Sequence, residues 1–368
     1  MSNIAPAFLE YWFRDYYFDA KYDLSSSGVE NFSIAELKKL IGLNMNQFDD
    51  LIFNDSPTLG NELLRQAIAR YYKVSPQQVM VGNGSSEVIF LLMNALLEAG
   101  DEIVVVEPCY PALRNVAAAI GCQVKDWPLR FVDGFEPDLN VLADLISDKT
   151  RMVVINFPHN PTGASISHQQ QRELVNLLAN TESYLFWDAV FIDINYNEPP
   201  QNFHQLYDKT ISIGSLSKTY GLPGLRVGWA FAPDDVLNRC VHWRDYTTIC
   251  LSPLIEAIAT HVMAHAEVLL DLRQQQACRN LAIISDWMDA HQEQMQWVAP
   301  KGGVSSFPRF ADVDDIENFC RRLILREGVL LVPGTCFGHP HHVRLSFGAN
   351  IEILQTGLLL LSDFLQRS

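Results

Sequence analysis

The 368-residue sequence is poor in basic residues and has no ordered pattern of cysteines. Lys and Arg number 27 against 43 Asp and Glu, which gives a formal net charge of −16. Because nucleic-acid binding requires a basic surface, this balance argues against a nucleic-acid partner and is compatible with a cationic substrate. The 7 cysteines are scattered and free of C-x-x-C spacing. That distribution favours reduced thiols in a cytoplasm and argues against a structural metal site.

The sequence also lacks the segments that direct a chain to a membrane. Residues 1–6 contain neither the basic start nor the apolar stretch of a signal peptide. No apolar run reaches the ~20 residues that a membrane helix needs. We therefore expect a cytoplasmic protein without a membrane partner.

A hydrophobic content of 48% is enough to build a large core, and the length suggests two domains. Strand-like and helix-like segments alternate through the middle of the chain, as in a mostly parallel sheet flanked by helices. The predicted divisions are an N-terminal arm with part of a small domain, a large α/β domain, and a small α+β domain. In that order they cover residues 1–45, 46–280 and 281–368.

The C-terminal third has a different pattern. Residues 252–292 are helical in pattern and long enough to cross between the domains. Beyond them we expect strands and helices to alternate without a parallel sheet. The expected strands are residues 304–310 and 343–347, and the expected helices are residues 313–326 and 351–366.

The most informative stretch is SLSKTYGLPGLRVGW, residues 215–229. Lys218 lies between hydroxyl residues and a glycine-rich turn that follows a short apolar strand. Ser215, Ser217 and Arg226 are suited to phosphate oxygens. A lysine in a partly desolvated pocket can lose its proton and form a Schiff base with an aldehyde. The alternative is a surface loop rich in serine and lysine.

Other polar residues also follow apolar runs of strand length. Asp188 follows YLFW, Asn160 lies in a turn after residues 152–155, and Tyr110 comes shortly after residues 103–106. Ligands of α/β sheets bind at the carboxyl ends of the strands, so these side chains are candidates for one site. Taken singly, Asp188 could be a loop acid and Tyr110 a core residue.

A phosphate site is also expected where GNGSSE opens an apolar helical pattern. Ser85 and Ser86 would offer hydroxyls and backbone N–H groups at the start of that helix. Arg344, in HVRLSF, follows no such strand and taken alone is more often a surface ion pair.

These motifs resemble those of fold-type I pyridoxal-phosphate enzymes of the aminotransferase class I/II group. The resemblance implies pyridoxal 5′-phosphate as cofactor and a homodimer. It also implies a PLP fold-type I α/β architecture, with a large domain whose mostly parallel sheet is flanked by helices and a smaller α+β domain.

The resemblance also assigns roles within the site. Lys218 would hold the cofactor aldehyde and Asp188 its pyridine nitrogen, and both would be catalytic. Tyr110 would stack on the ring, Asn160 would contact its 3-oxygen, and Arg344 would bind the substrate carboxylate. The cofactor phosphate would be held by Ser85, Ser86, Ser215, Ser217 and Arg226.

Two positions depart from the ordinary aminotransferase pattern. Phe191 and Asp55 stand where many members of the group carry tyrosines that contact the cofactor. These departures, together with residues 17–31, 127–130 and 244–248, resemble a narrower group, the hydroxyarginine cyclases that form capreomycidine and L-enduracididine. This similarity extends over nearly the whole chain.

The narrower resemblance implies cyclodehydration of a hydroxylated L-arginine to a cyclic guanidino amino acid in specialised-metabolite biosynthesis. A β-hydroxyl would give the six-membered capreomycidine ring and a γ-hydroxyl the five-membered enduracididine ring, and both stay open. Besides Arg344, the candidate substrate-binding residues are Gly28, Glu30 and Asp55. In the alternative interpretation Glu30 is a surface acid and Asp55 forms a turn.

Two other classes of function also stay open. An ordinary class I/II aminotransferase would use the same lysine and aspartate. A regulatory or binding protein that retains the cofactor without turnover is the second alternative. Exchange of an amino group with a keto acid would distinguish the aminotransferase from a cyclase.

Overall fold

The structure is a computed structural model that describes residues 4–311 and 313–367. Residues 1–3 of the predicted arm, together with Asp312 and Ser368 of the predicted C-terminal domain, lie outside the described residues. The α-helices are α1 (Phe8–Tyr16), α2 (Ile34–Ile41), α3 (Glu62–Tyr72), α4 (Gly84–Leu96), α5 (Pro111–Ile120), α6 (Leu139–Leu145), α7 (His168–Leu178), α8 (Asp234–Arg244), α9 (Pro253–Ala264), α10 (Ala266–Ala290), α11 (Ile316–Glu327) and α12 (Ile351–Arg367).

The strands alternate with these helices through the middle of the chain. They are β1 (Tyr22–Asp23), β2 (Val79–Asn83), β3 (Glu102–Glu107), β4 (Gln123–Pro128), β5 (Thr150–Asn156), β6 (Tyr184–Asp188), β7 (Thr210–Ser215), β8 (Val227–Phe231), β9 (Met295–Gln296), β10 (Ser305–Ser306), β11 (Arg309–Phe310), β12 (Val329–Leu330), β13 (Val332–Pro333) and β14 (Val343–Ser346).

A seven-stranded sheet in the order β2-β8-β7-β6-β5-β3-β4 forms the centre of the molecule. The pairs from β4 through β3, β5 and β6 to β7 are parallel. Strand β8 runs antiparallel to both of its neighbours. The carboxyl ends of β5, β6 and β7 therefore lie side by side at one edge, where the predicted cofactor residues begin.

Successive residues of these strands enter two different hydrophobic cores. In β5, Val153 and Ile155 belong to one cluster, whereas Met152 and Val154 belong to another. Side chains alternate between the faces of a strand, so helices on both faces need apolar residues at every position. The continuous apolar run of β5 is thus a consequence of a sheet covered on both sides.

The chain ends come together beside the sheet. Strand β1 pairs in parallel with β12, and β14 lies between β10 and β13. The Ser346 N–H donates to the Leu24 carbonyl at 2.8 Å, which ties the N-terminal segment to β14. This arrangement places residues 24–30 next to the carboxyl edge of the large sheet.

Most predicted elements are confirmed, including the parallel sheet, the helical stretch after residue 252 and both C-terminal helices. Within the predicted N-terminal arm, helix α1 is rich in aromatic residues. The single strand predicted over residues 304–310 is interrupted, and its two halves pair with β14 and β9. Pro308 explains the break, because proline cannot donate to a strand ladder. The division into domains stays a prediction.

No single described helix is both long and apolar enough to cross a bilayer. Helices α9 and α10 meet that length and composition test only as a pair, which is bent by 70°.

Candidate active site

Lys218 lies in the turn that follows β7 and is partly buried. Its Nζ donates a hydrogen bond to the Ser27 Oγ at 3.0 Å. Burial, with the nearby positive charge of Arg344, lowers the pKa of Lys218 to about 8. About half of the amine is therefore unprotonated at pH 8 and roughly a tenth at pH 7. The unprotonated amine is the form that attacks an aldehyde.

Asp188 is the last residue of β6 and is 4% exposed. Its Oδ1 accepts the Val190 N–H at 3.2 Å, and its backbone carbonyl accepts the Asn156 Nδ2 at 2.8 Å. Burial raises the pKa of Asp188 to about 7. A cationic partner such as a protonated pyridine nitrogen would stabilise the ionised carboxylate here.

Arg344 lies on β14 and is 1% exposed. Its Nε and Nη2 donate to the Ser25 carbonyl at 3.0 and 2.8 Å, and its Nη1 donates to the Asn160 Oδ1 at 3.1 Å. Burial lowers its pKa only to about 10, so the guanidinium remains charged at neutral pH. Such a fixed cation is suited to bidentate binding of a carboxylate.

Ser85 and Ser86 lie in the first turn of α4, beside Arg226. A Cβ on Gly84 would lie 2.2 Å from the Arg226 Nη2, and one on Gly228 would lie 2.4 Å from the Ser85 backbone nitrogen. The two glycines thus allow the guanidinium and the helix start to approach each other. A helix N-terminus with a cation beside it is a site for an anion such as phosphate.

Ser215 and Ser217 join this group from the end of β7. Ser215 pairs with Gly228 across the sheet, and its Oγ accepts the Ser217 N–H at 3.2 Å. The hydroxyls therefore lie at the edge of the sheet that carries the start of α4. The residues present fit the phosphate, ring nitrogen and aldehyde of the expected cofactor.

Tyr110 is the residue before α5, and its hydroxyl donates to the Glu10 Oε1 at 3.2 Å. Burial, reinforced by the negative charge of Glu10, raises the pKa of Tyr110 to about 12. The phenol therefore stays protonated and serves as a donor. Phe191, three residues after Asp188, is buried and its ring lies 3.9 Å from where a Gly303 Cβ would be.

Of the predicted substrate-binding residues, Gly28 lies next to the lysine turn, whereas Glu30 faces away from it. Gly28 is buried, and a Cβ there would lie 3.2 Å from the Ser217 carbonyl oxygen, so this segment runs directly over the lysine turn. The Glu30 Oε2 accepts hydrogen bonds from the Arg273 Nη1 at 3.3 Å and the Gln276 Nε2 at 2.8 Å. Its carboxylate thus faces α10 and not Lys218.

Asp55 is exposed, and its Oδ1 lies 3.9 Å from the Cys250 Sγ. Neither atom belongs to the cluster around Lys218. Asp55 instead lies on the loop that precedes α3, next to the loop that precedes α9.

Sequence reasoning missed three residues in or behind the site. Ser27 accepts from Lys218, Glu10 accepts from Tyr110, and Asp193 accepts from Thr219 at 3.2 Å. Burial raises the pKa of Asp193 to about 6. The available signals were the serine that precedes Gly28 and the two acids, Glu10 and Asp15, in the aromatic stretch that forms α1.

Known proteins are similar to this chain over most of its length. The family described as aminotransferase class I and II matches residues 42–356. Capreomycidine synthase from Streptomyces vinaceus is 43% identical over 359 residues, which cover 96% of this chain and 92% of that protein. The crystal structure of the PLP-dependent cyclase OrfR has a TM-score of 0.94 at 42% identity and covers 99% of this chain and 98% of that one.

A transaminase is also among the relatives. Arginine–pyruvate transaminase AruH from Pseudomonas aeruginosa is 29% identical over 317 residues, which cover 80% of this chain and 78% of that protein. The matches thus include a synthase, a cyclase and a transaminase, and each extends over most of the chain.

Proposed function

This chain belongs to the aminotransferase class I and II family, and we propose that it cyclises a hydroxylated L-arginine with loss of water. The observation that carries the proposal is 43% identity to capreomycidine synthase over 96% of the chain. The TM-score of 0.94 with a PLP-dependent cyclase supports it. The expected fold and the expected cofactor, pyridoxal 5′-phosphate, are confirmed by the same relatives.

Each group of the cofactor has proposed partners in this chain. Arg226 and the serines at the start of α4 and the end of β7 bind the phosphate. Asp188 holds the pyridine nitrogen, and Lys218 binds the aldehyde. When bound, pyridoxal phosphate supplies an electron-accepting ring that stabilises negative charge at the substrate Cα.

Lys218 is the proposed acid and base of the reaction. Arg344 binds the substrate α-carboxylate and fixes the Cα next to the lysine amine. The Lys218 amine removes the Cα proton, and it returns a proton to the departing hydroxyl or to the carbon skeleton. A pKa of about 8 is suited to both directions of transfer near neutral pH.

The bonds formed and broken balance as the loss of one water. The hydroxyl leaves from Cβ or Cγ with a proton, a guanidine nitrogen bonds to that carbon, and the guanidine gives up one proton. Attack at Cβ gives a six-membered ring and attack at Cγ a five-membered ring. The second route requires one further proton transfer, because Cβ must first be made acidic.

A mass-spectrometric assay with β- and γ-hydroxyarginine tests this proposal. We expect a product lighter by one water from one of them without any keto acid, and deuterium in its carbon skeleton when the reaction is run in D₂O. Unhydroxylated L-arginine is the control and gives no such product.

A class I and II aminotransferase acting on an amino acid is the second candidate, because arginine–pyruvate transaminase AruH and the aspartate aminotransferase of Thermotoga maritima are each 29% identical to this chain. It predicts amino transfer that depends on a keto acid and no dehydrated product. That pair of results would replace the cyclase proposal.

A homodimer is proposed for the assembly. Large apolar side chains are exposed on the two loops beside the phosphate site, including Phe53 (73%), Ile249 (53%) and Tyr246 (91%). The loops adjoin that site, since Thr248 donates a hydrogen bond to Glu87 of α4. Exposed apolar groups of this kind mark an interaction surface. Full activity of a monomer in analytical ultracentrifugation would contradict the proposal.

We propose a cytoplasmic location because the cysteines form no disulfide bonds among the described residues. The 7 cysteines are all free thiols in the structure, which supports a reducing compartment.

A further inference from the structure

Glu10 is the acidic residue that α1 presents at the mouth of the site. Its Oε1 accepts the Tyr110 hydroxyl at 3.2 Å. Phe13 lies on the same face of α1, three residues further on. The Phe13 ring centroid is 5.6 Å from the guanidinium carbon of Arg344. Glu10 therefore lies between the residues proposed to stack on the cofactor ring and to bind the substrate carboxylate.

The position of Glu10 is fixed by the packing of its helix. Leu9 and Trp12 on α1 are 2% and 6% exposed. The Trp12 Nε1 donates to the Leu331 carbonyl at 2.8 Å. A helix anchored by buried side chains holds the neighbouring carboxylate in place without any contribution from a substrate.

The Glu10 carboxylate has no cationic partner among residues 4–311 and 313–367. Tyr110 is the one described side chain that hydrogen-bonds it, and the residue is exposed. Burial lowers the pKa values of Lys218 and Arg344, and the charge of Glu10 acts on both in the opposite direction. An amino acid held by Arg344 and Lys218 thus lies within the field of this carboxylate.

Other acids around the site already have partners. Glu107 contacts His339 at 2.8 Å, and Glu30 contacts Arg273 at 3.3 Å. The Asp23 Oδ1 accepts hydrogen bonds from the two serines that follow it. Among these four acids Glu10 is the exposed one, and a neutral phenol is its described side-chain partner.

From this placement we infer that Glu10 binds the guanidinium group of the substrate and so selects cationic amino acids. A guanidinium presents paired N–H donors in a fork that matches a carboxylate. Holding that group also orients the nucleophilic nitrogen for ring closure. The inference rests on the proposed function for the identity of the substrate.

The test compares the binding of L-arginine and L-citrulline to the holoenzyme, followed by the change in cofactor absorbance. Citrulline has the same shape but carries a neutral urea in place of the guanidinium. Glu10→Gln is expected to weaken arginine binding about tenfold to hundredfold and to leave citrulline binding within about twofold. Glu10→Asp is expected to retain part of the preference.

Asp15→Asn is the matched control, because it removes one exposed acid from the same helix. It should keep the preference of the wild-type enzyme. The inference is overturned if Glu10→Gln keeps that preference, or if its affinity for both ligands falls equally. Unchanged melting temperature and cofactor content in Glu10→Gln would show that the variant is folded.

The assay with hydroxyarginine separates this inference from the proposed function. A wild-type enzyme that prefers arginine through Glu10 but gives no dehydrated product would overturn cyclisation and support the role of Glu10. If the Glu10→Gln variant forms the dehydrated product as fast as the wild-type enzyme at low substrate concentration, cyclisation is supported and the role of Glu10 is overturned.

Discussion

Lys218 and Asp188 stand at the ends of neighbouring strands of one sheet, whereas Arg344 meets Ser25 across 319 positions of the chain. The cofactor side of the site is thus built from consecutive β–α units. The substrate side, by contrast, is built from α1, the segment around Ser27 and β14, which come from opposite ends of the sequence. In the proposed function, the residues at the sheet edge carry out the chemistry, and the residues from the joined chain ends select the amino acid.

This difference has an energetic basis. Residues at the ends of buried parallel strands are held in position by the packing of a large apolar core. The substrate side depends on a few specific polar contacts between distant segments. Changes on the cofactor side should therefore abolish the reaction, and changes on the substrate side should alter affinity or selectivity.

Lys218→Ala is expected to have the largest effect. Without the amine there is no base at the Cα, so turnover should fall by at least about 10⁴-fold. Borohydride reduction followed by peptide mass spectrometry should find no covalent cofactor. Lys209→Ala, at a lysine paired with Glu182, is the control and should retain normal turnover and the covalently bound cofactor. A reducible adduct in Lys218→Ala would mean that another lysine holds the aldehyde.

Asp188→Asn should come next, with a loss of about 10²- to 10³-fold in turnover and little loss of bound cofactor. In the proposed assignment the buried carboxylate would stabilise charge in the ring, whereas the phosphate contacts would supply most of the cofactor affinity. Steady-state kinetics and cofactor content by absorbance measure the two effects. Asp208→Asn, at an exposed acid, should change neither. Normal turnover in Asp188→Asn would contradict the assignment.

Arg344→Lys is expected to weaken substrate binding more than it slows the chemical step. A lysine cannot reproduce the paired N–H donors, so kcat/KM should fall about tenfold to hundredfold, chiefly through KM. Arg326→Lys on the exposed face of α11 should be neutral. A fall in kcat alone would place Arg344 among the residues that act on the chemical step.

Ser27→Ala should have a smaller effect than Arg344→Lys, a shift in the pH dependence of cofactor uptake by the apoenzyme. Lys218 has a pKa of about 8, below its ordinary 10.5, so cofactor uptake by the apoenzyme should rise with pH and level off above about 8. Ser27 accepts from the amine and favours the charged form, so its loss should move that midpoint to lower pH. Stopped-flow absorbance measures uptake, and Ser26→Ala is the control. An upward shift would contradict the role of Ser27.

The same pKa difference predicts how the apoenzyme's stability depends on pH. Between about 8 and 10.5 the unfolded chain binds more protons at Lys218 than the folded chain does. The contribution of this residue to stability therefore rises with pH across that interval. Denaturant unfolding of the wild-type apoenzyme and Lys218→Ala measures the difference.

Glu30→Gln is expected to have the smallest effect on the reaction. Its carboxylate contacts Arg273 and Gln276, so kcat/KM should change by less than about twofold while the free energy of unfolding falls by about 1 kcal/mol. Urea unfolding and kinetics with hydroxyarginine provide the comparison. A large rise in KM without loss of stability would restore Glu30 as a substrate ligand.

Residues at the ends of strands could be placed in the fold from the sequence, whereas residues that meet across the chain could not. Asp188 and the strand before Lys218 could be placed because apolar runs of strand length end in polar residues. Glu10 and Ser27 could not be placed in this way. Their contacts join residues 100 and 191 positions apart, and nothing in local composition encodes such a distance. Pro308 shows a further limit, since the segment predicted as one strand contains two short strands that belong to different sheets.

The bond between Ser25 and Arg344 also has a consequence for synthesis on the ribosome. Proteins emerge N-terminus first, and domains fold as units during that process. Residues 79–231, which contain the whole central sheet, are complete long before β14 leaves the ribosome. The hydrophobic core on one face of that sheet also contains Leu354 and Phe364 of α12. A chain cut before residue 344 would therefore lack both Arg344 and part of the core that supports the sheet.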